Sequence, residues 1–284
     1  MKVMCIKDKL KYSKKTNAND IDKHKVSRHG GKPAADIVTH KTVKLFSTNC
    51  SGLVNGKIDS LINEVKNTMA TVVTVQETHC LRKGRIKLEN MVVFEAIRTK
   101  KGGGTLCAVH KDLNPHLIEE YNDPFELLVV EVVAGNKDIR IITGYGPQEN
   151  WDEERRLPFF RTLEEEVIKA ANAGKSVIIE MDSNSKLGTK FIPGDPHEIT
   201  PNGKLLALII ERQNLTVAKG TNKCKGVITR KRVTKTRVEE SVIDIVIISK
   251  DMEEQLDNVE IDEARKHVLT RIRKTKKWSK SEGE

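Results

Sequence analysis

Aromatic residues are scarce in this sequence, with two Trp, three Tyr and six Phe among 284 residues. Its core must therefore be aliphatic. No apolar run reaches the roughly 20 residues that a membrane-spanning helix needs. The N-terminal MKVMCIKDKLKYSKK interleaves lysine with apolar residues too often for a secretory leader. The expectation is an intracellular chain, nuclear or cytoplasmic, with no membrane partner. The five cysteines, Cys5, Cys50, Cys80, Cys107 and Cys224, are odd in number and widely spaced, and no C-x-x-C occurs. That pattern excludes a disulfide framework and a zinc knuckle and points to reduced thiols. There is no G-x-G-x-x-G after a strand and no G-x-x-x-x-G-K-[ST], which argues against the nucleotide-cradling folds. Internal repeats and a Tyr/Phe-x-Asp-Asp polymerase motif are also absent.

What the sequence does hold is enough chain for one large α/β domain with a buried core. Its net charge of +10 is unevenly placed. Residues 1–44 carry twelve Lys and Arg against four Asp and Glu, and residues 264–284 carry eight against two, leaving a mildly acidic body. Basic ends attract polyanions such as nucleic acid, although solvated tails have the same composition. Residues 1–40 lack hydrophobic periodicity and read as a disordered basic arm. Residues 41–262 read as the folded domain, and 263–284 as a basic C-terminal tail.

Within the domain, VKLFST reads as a strand ending at Asn49, and NGKIDSLINEVKNTM as a helix with Ile58, Leu61, Ile62 and Val65 on one face. TVVTV at 71–75 is a buried strand. MVVFEAI and TLCAVH are strands joined by a glycine-rich turn, and 126–133 with 138–145 form a hairpin. A long helix after Trp151 stops at Gly174. SVIIEM is a strand, NGKLLALIIERQN a helix, and SVIDIVIIS at 241–249 a last strong strand. Frequent hairpins with helices between strand groups imply mixed sheets covered by helices.

Several of these strands end in groups that can bind a metal or phosphate: Asn49, Gln76-Glu77-Thr78-His79, Gly144-Tyr145-Gly146-Pro147, Glu180-Met181-Asp182-Ser183-Asn184 and Asp244. Taken singly, each is an ordinary turn or loop residue. Asp244 is the exception, because it interrupts an aliphatic run and needs a partner if buried. In this order the set resembles the endonuclease/exonuclease/phosphatase superfamily over residues 43–250. IITGYGPQE, MDSNSKLG and SVIDIVIIS are most similar to its LINE-type retrotransposon branch.

The resemblance implies a four-layer α/β sandwich of two packed mixed sheets, DNase I-like, with the family's last strand missing. It implies Mg²⁺ (or Mn²⁺) held by Glu77 with Asn49, and Asp182 activating water. Asn184 and Tyr145 would meet the phosphate, and Asp244 would orient a histidine. Nucleic acid is the implied partner, DNA above RNA, and no obligate protein partner is evident. The family's closing Ser-Asp-His has no counterpart after Asp244. His267, in Arg-Lys-His-Val, is the one later histidine, and it reads more readily as a surface residue than as a substitute. The reading is therefore a truncated retroelement-type endonuclease. The alternatives are an inactive remnant that binds nucleic acid through its ends, and a phosphomonoesterase of the same fold.

Overall fold

A computed structural model describes residues 2–7, 42–98, 102–122, 124–233 and 238–263. Two large mixed sheets face each other. The first contains β1 (Lys2–Lys7), β2 (Thr42–Asn49), β3 (Val72–Gln76), β4 (Met91–Ala96), β5 (Thr105–His110), β11 (Cys224–Lys225) and β15 (Leu256–Ile261). Their order is β11-β15-β1-β2-β3-β5-β4. The second contains β6 (His116–Tyr121), β7 (Glu126–Ala134), β8 (Lys137–Tyr145), β9 (Ser176–Asp182), β10 (Leu215–Val217) and β14 (Asp244–Ser249), ordered β10-β14-β9-β8-β7-β6. A separate two-stranded ribbon pairs β12 (Arg230–Val233) with β13 (Val238–Ser241).

Helix α1 (Asn55–Thr68) covers the outside of the first sheet. Its Leu61 and Val65 pack on Phe46, Val73, Val75, Leu106 and Ala108. Helices α2 (Glu153–Asn172) and α3 (Pro201–Arg212) cover the second. Phe159, Leu163, Leu206 and Ile210 meet Val177, Ile179, Ile245 and Ile247 there. These are the four layers the resemblance implied. Asp152 caps α2 by accepting from the Arg155 N–H at 3.0 Å, and Gly174 follows its end at φ +68°. Among the described residues no helix is long and apolar enough to cross a membrane.

Side chains on a strand alternate between faces, so every second residue looks into the space between the sheets. There the strands share a gradient. β2 runs Val43, Leu45, Ser47, Asn49; β8 runs Ile139, Ile141, Thr143, Tyr145; β9 runs Ile178, Glu180, Asp182; antiparallel β14 runs Ile248, Val246, Asp244. The inter-sheet space is aliphatic at one end, polar in the middle and acidic at the opposite rim. The aliphatic end supplies the burial that holds the sandwich together, and the rim carries the chemistry.

Two expectations need correction. The basic arm was drawn from residue 1, yet Lys2–Lys7 is a strand inside the first sheet, hydrogen-bonded antiparallel to both β15 and β2. Met4 and Ile6 are buried, which supplies a reason for it to dock. Its apolar run is only Val3–Ile6, flanked by Lys2 and Lys7 in a lysine-rich segment, which hid the strand. The last strong strand begins at Asp244 rather than running through it, so Asp244 sits half-buried at the rim. The remainder of the proposed arm, His267 and residues 264–284 lie outside the described residues.

Candidate active site

Strand register gathers the acidic rim. Asp182 is paired with Tyr145 on one side and Asp244 on the other. In the facing sheet, Asn49 is paired with Gln76, and Glu77 follows directly. The Asn49 side chain closes the gap. Its Nδ2 donates to Glu77 Oε1 at 3.0 Å and to Asp182 Oδ2 at 2.9 Å, while its Oδ1 accepts from the Ser51 N–H at 3.1 Å. Asn184 donates its backbone N–H to Asp182 Oδ1 at 3.2 Å and its Nδ2 to the Gly146 carbonyl at 2.9 Å. Its side chain also hydrogen-bonds the Tyr145 hydroxyl. Six candidates from the sequence, Asn49, Glu77, Tyr145, Asp182, Asn184 and Asp244, thus lie at one rim.

The backbone at this rim is unusual. Ser51, Glu77, His79 and Asn184 all have left-handed φ, between 44° and 52°, a conformation that costs non-glycine residues energy. Past the strand ends, irregular hydrogen bonds continue the ladder: Cys50 N–H to Gln76 O at 3.1 Å, Gly52 N–H to Glu77 O at 2.7 Å and Thr78 N–H to Gly104 O at 3.1 Å. Gly146 is required by close approach. A Cβ there would lie 2.5 Å from the Ser183 carbonyl oxygen, and its N–H donates to Asp182 O at 2.7 Å.

Burial pushes the Asp182 carboxyl up to about 7, and the facing Asp244 carboxylate adds to the shift. Burial and the charges of Glu77 and Asp182 also raise the Tyr145 hydroxyl, which keeps it a proton donor. The Cys50 thiol beside Asn49 is pushed up to about 12 by burial, so it stays protonated and a poor nucleophile. A carboxyl raised in the folded state holds its proton more tightly there than in the unfolded chain. Its contribution to stability is thus full below the ordinary carboxylate range and is lost as pH rises through about 7. In EDTA, Asp182→Asn should therefore resist urea better than the parent chain at pH 8.5. A gain on the order of 2 kcal/mol remains after one lost hydrogen bond. At pH 5 the gain should vanish, and urea melts at the two pH values check both signs.

Among the described residues no three Asp, Glu, His or Cys side chains converge tightly enough to cage a metal. The rim offers instead one carboxylate, Glu77, beside the Asn49 amide, with Asp182 across it. As placed, Asn49 turns its Nδ2 into the gap and its Oδ1 to Ser51; with the amide turned over, the set would be all oxygen, and one this sparse fits a hard cation that keeps most of its waters, as Mg²⁺ does. Ser51, two residues after Asn49, is exposed and adds only its backbone N–H to Asn49.

Two neighbours escaped the sequence reading. Asn202, fully buried in the first turn of α3, donates to the Pro147 carbonyl at 2.7 Å and the Asn184 carbonyl at 3.2 Å, tying two rim loops together. Gln148 hydrogen-bonds Tyr145. The one available signal was position, because each adjoins a motif residue or a helix start.

No protein-family model and no curated sequence matches the chain. Solved structures do. The endonuclease domain of TRAS1, a telomere-specific non-LTR retrotransposon, aligns with TM-score 0.55 and 17% identity over 75% of this chain and 87% of that one. The AP endonuclease LMAP from Leishmania major aligns with TM-score 0.59 and 13% identity over 75% and 80%. The 3'-5' exonuclease NExo from Neisseria meningitidis aligns with TM-score 0.57 and 14% identity over 74% and 88%. The chain has the DNase I-like fold common to these nucleases.

Proposed function

We propose that this chain is a divalent-metal-dependent phosphodiesterase of the endonuclease/exonuclease/phosphatase superfamily that cleaves nucleic acid, DNA above RNA, in the manner of retroelement endonucleases. The observation that carries this reading is the Asn49 bridge between Glu77 and Asp182, beside Tyr145 and Asn184, with burial raising the Asp182 carboxyl towards neutrality. A general base works best when its pKa lies near the working pH. Asp182 takes the proton of a water that attacks phosphorus, and the phosphorus–oxygen bond to the departing strand breaks, its oxygen taking a proton from solvent. Tyr145 donates to a phosphoryl oxygen, with Asn184 holding the Tyr145 hydroxyl in place. Glu77 and Asn49 would hold Mg²⁺ or Mn²⁺, which supplies Lewis-acid stabilisation of the phosphoryl charge.

The β12–β13 ribbon supports a nucleic-acid substrate. Arg230 and Lys231 on it are exposed. Its base is tied to the rim, since Thr229 Oγ1 accepts from the Ile243 and Asp244 N–H groups at 3.1 and 3.2 Å. Replacing Arg230 and Lys231 together by alanine should weaken duplex binding. It should also flatten the dependence of log affinity on log salt by about 1–2 units, as read by fluorescence anisotropy from 50 to 200 mM salt. An unchanged slope would remove the ribbon from the interface.

The substrate class is tested by offering the purified chain closed-circular DNA and a small phosphomonoester side by side with Mg²⁺ or Mn²⁺. Nicking of the circle without phosphate release supports this reading. Phosphate release from the monoester alone would favour the phosphatase alternative.

A further inference from the structure

Between the aliphatic floor and the acidic rim lies a second carboxylate, Glu180, with no exposed surface. It sits on β9 two residues before Asp182, on the same face. Ser47 Oγ donates to its Oε1. Gln76 Nε2 donates to its Oε2 at 2.6 Å, and Thr143 Oγ1 to the same oxygen at 3.4 Å. Ser47 and Gln76 belong to the opposite sheet. Each donor is close to a rim residue along its own strand: Ser47 is two before Asn49, Thr143 two before Tyr145, and Gln76 immediately before Glu77.

We propose that Glu180 is a positioning residue that pins the two sheets in register at the catalytic end and so sets where Asn49, Glu77 and Asp182 meet. The proposal rests on the reading of the rim as a catalytic site. Aliphatic side chains fix how far apart two sheets lie but tolerate sliding, whereas hydrogen bonds fix direction as well as distance. The Asn49 bridge spans the same gap, yet its partners are the working groups themselves. Gln76 depends on Glu180 for its orientation, because its Oε1 has no hydrogen-bond partner among the described residues. Glu77 leaves β3 at φ 52°, so a displaced Gln76 would re-aim the Glu77 carboxylate. A leucine could fill the volume of Glu180 without the cost of burying a charge, but it would leave the buried Ser47 and Gln76 donors unpaired.

The substitutions separate registry from charge and from bulk stability. Glutamine at 180 can still accept from Gln76 and donate to Ser47 Oγ, so Glu180→Gln should behave like the parent chain. Glu180→Leu removes all three bonds. Ile248→Ala, in the aliphatic floor, destabilises without touching the network. The first readout is the Asn49 side-chain amide in ¹H–¹⁵N spectra and its hydrogen-exchange rate, which needs no activity. In Glu180→Leu the resonances should shift and exchange about tenfold faster, while Glu180→Gln and Ile248→Ala leave them in place. The second readout is kinetic. For Glu180→Leu, kcat on DNA should fall about a hundredfold and half-saturating Mg²⁺ should rise about tenfold, with KM nearly constant. Ser47→Ala, a milder variant, should move both readouts the same way and serves if Glu180→Leu does not fold. An Asn49 amide unmoved by Glu180→Leu, or moved equally by Ile248→Ala, would overturn the proposal. An Asn49 amide that follows Glu180 in a chain that cleaves nothing would uphold the positioning role and sink the nuclease reading instead.

Discussion

Alanine at Asp182 should lower the rate of metal-dependent DNA cleavage by about a thousandfold or more, within the range set by loss of a general base. The argument is local. Asp182 is buried, its Oδ2 accepts from Asn49 and its Oδ1 from the Asn184 N–H, so both oxygens are held and aimed. Burial, with the Asp244 charge added, raises the Asp182 carboxyl towards neutrality. A nearby acid cannot replace it without moving a strand, because Asp244 reaches the rim from the neighbouring strand and Glu77 from the opposite sheet. DNA affinity measured without metal should change little, which distinguishes loss of chemistry from loss of binding. Asp182→Asn should lose as much activity as Asp182→Ala while gaining stability above pH 7. Activity of Asp182→Ala within tenfold of the parent would remove Asp182 from the reaction.

The second large effect concerns β1. Aspartate at Met4 should destabilise the chain by about 4 kcal/mol or more, the scale for placing an unpaired charge in a core. Met4 is fully buried between β15 and β2, pairing with Val259 on one side and Leu45 on the other. A charge there would eject the strand and leave two sheet segments without a partner. Met4→Leu conserves volume and should cost less than about 1.5 kcal/mol. Urea titration of both variants decides the matter. Met4→Asp with the parent's midpoint would mean that β1 contributes nothing to the sheet. Because Lys2 lies opposite Ser47 in the register, loss of β1 should also loosen the strand that carries Asn49.

The contrast between β1 and β3 explains how far the fold was legible. VVTVQ is buried on both faces and reads as a strand from composition alone. KVMCIK is a four-residue apolar run between lysines in a lysine-rich segment, and its partners lie some forty and two hundred and fifty residues away. No local signal reports such pairing. The same holds for β6, exposed over most of its length, for the short β10 and β11, and for β15, whose buried Leu256, Val259 and Ile261 are separated by polar residues. The rim was legible because its residues end the strong strands, where polar groups stand out against aliphatic runs. Glu180 was read with them but not understood. Its partners Gln76 and Ser47 are 104 and 133 positions distant, and the fold alone brings them together. Asn202 was hidden for the opposite reason, since an asparagine in a helix's first turn is ordinary.

The most direct measurement is the conversion of supercoiled plasmid to nicked circle by the purified chain, with Mg²⁺ or Mn²⁺ and with EDTA, beside Glu77→Ala. The account predicts nicking that requires the cation, vanishes in EDTA and is lost in Glu77→Ala. A folded chain that leaves the plasmid supercoiled at every cation concentration, or that nicks it equally in EDTA, would contradict the account.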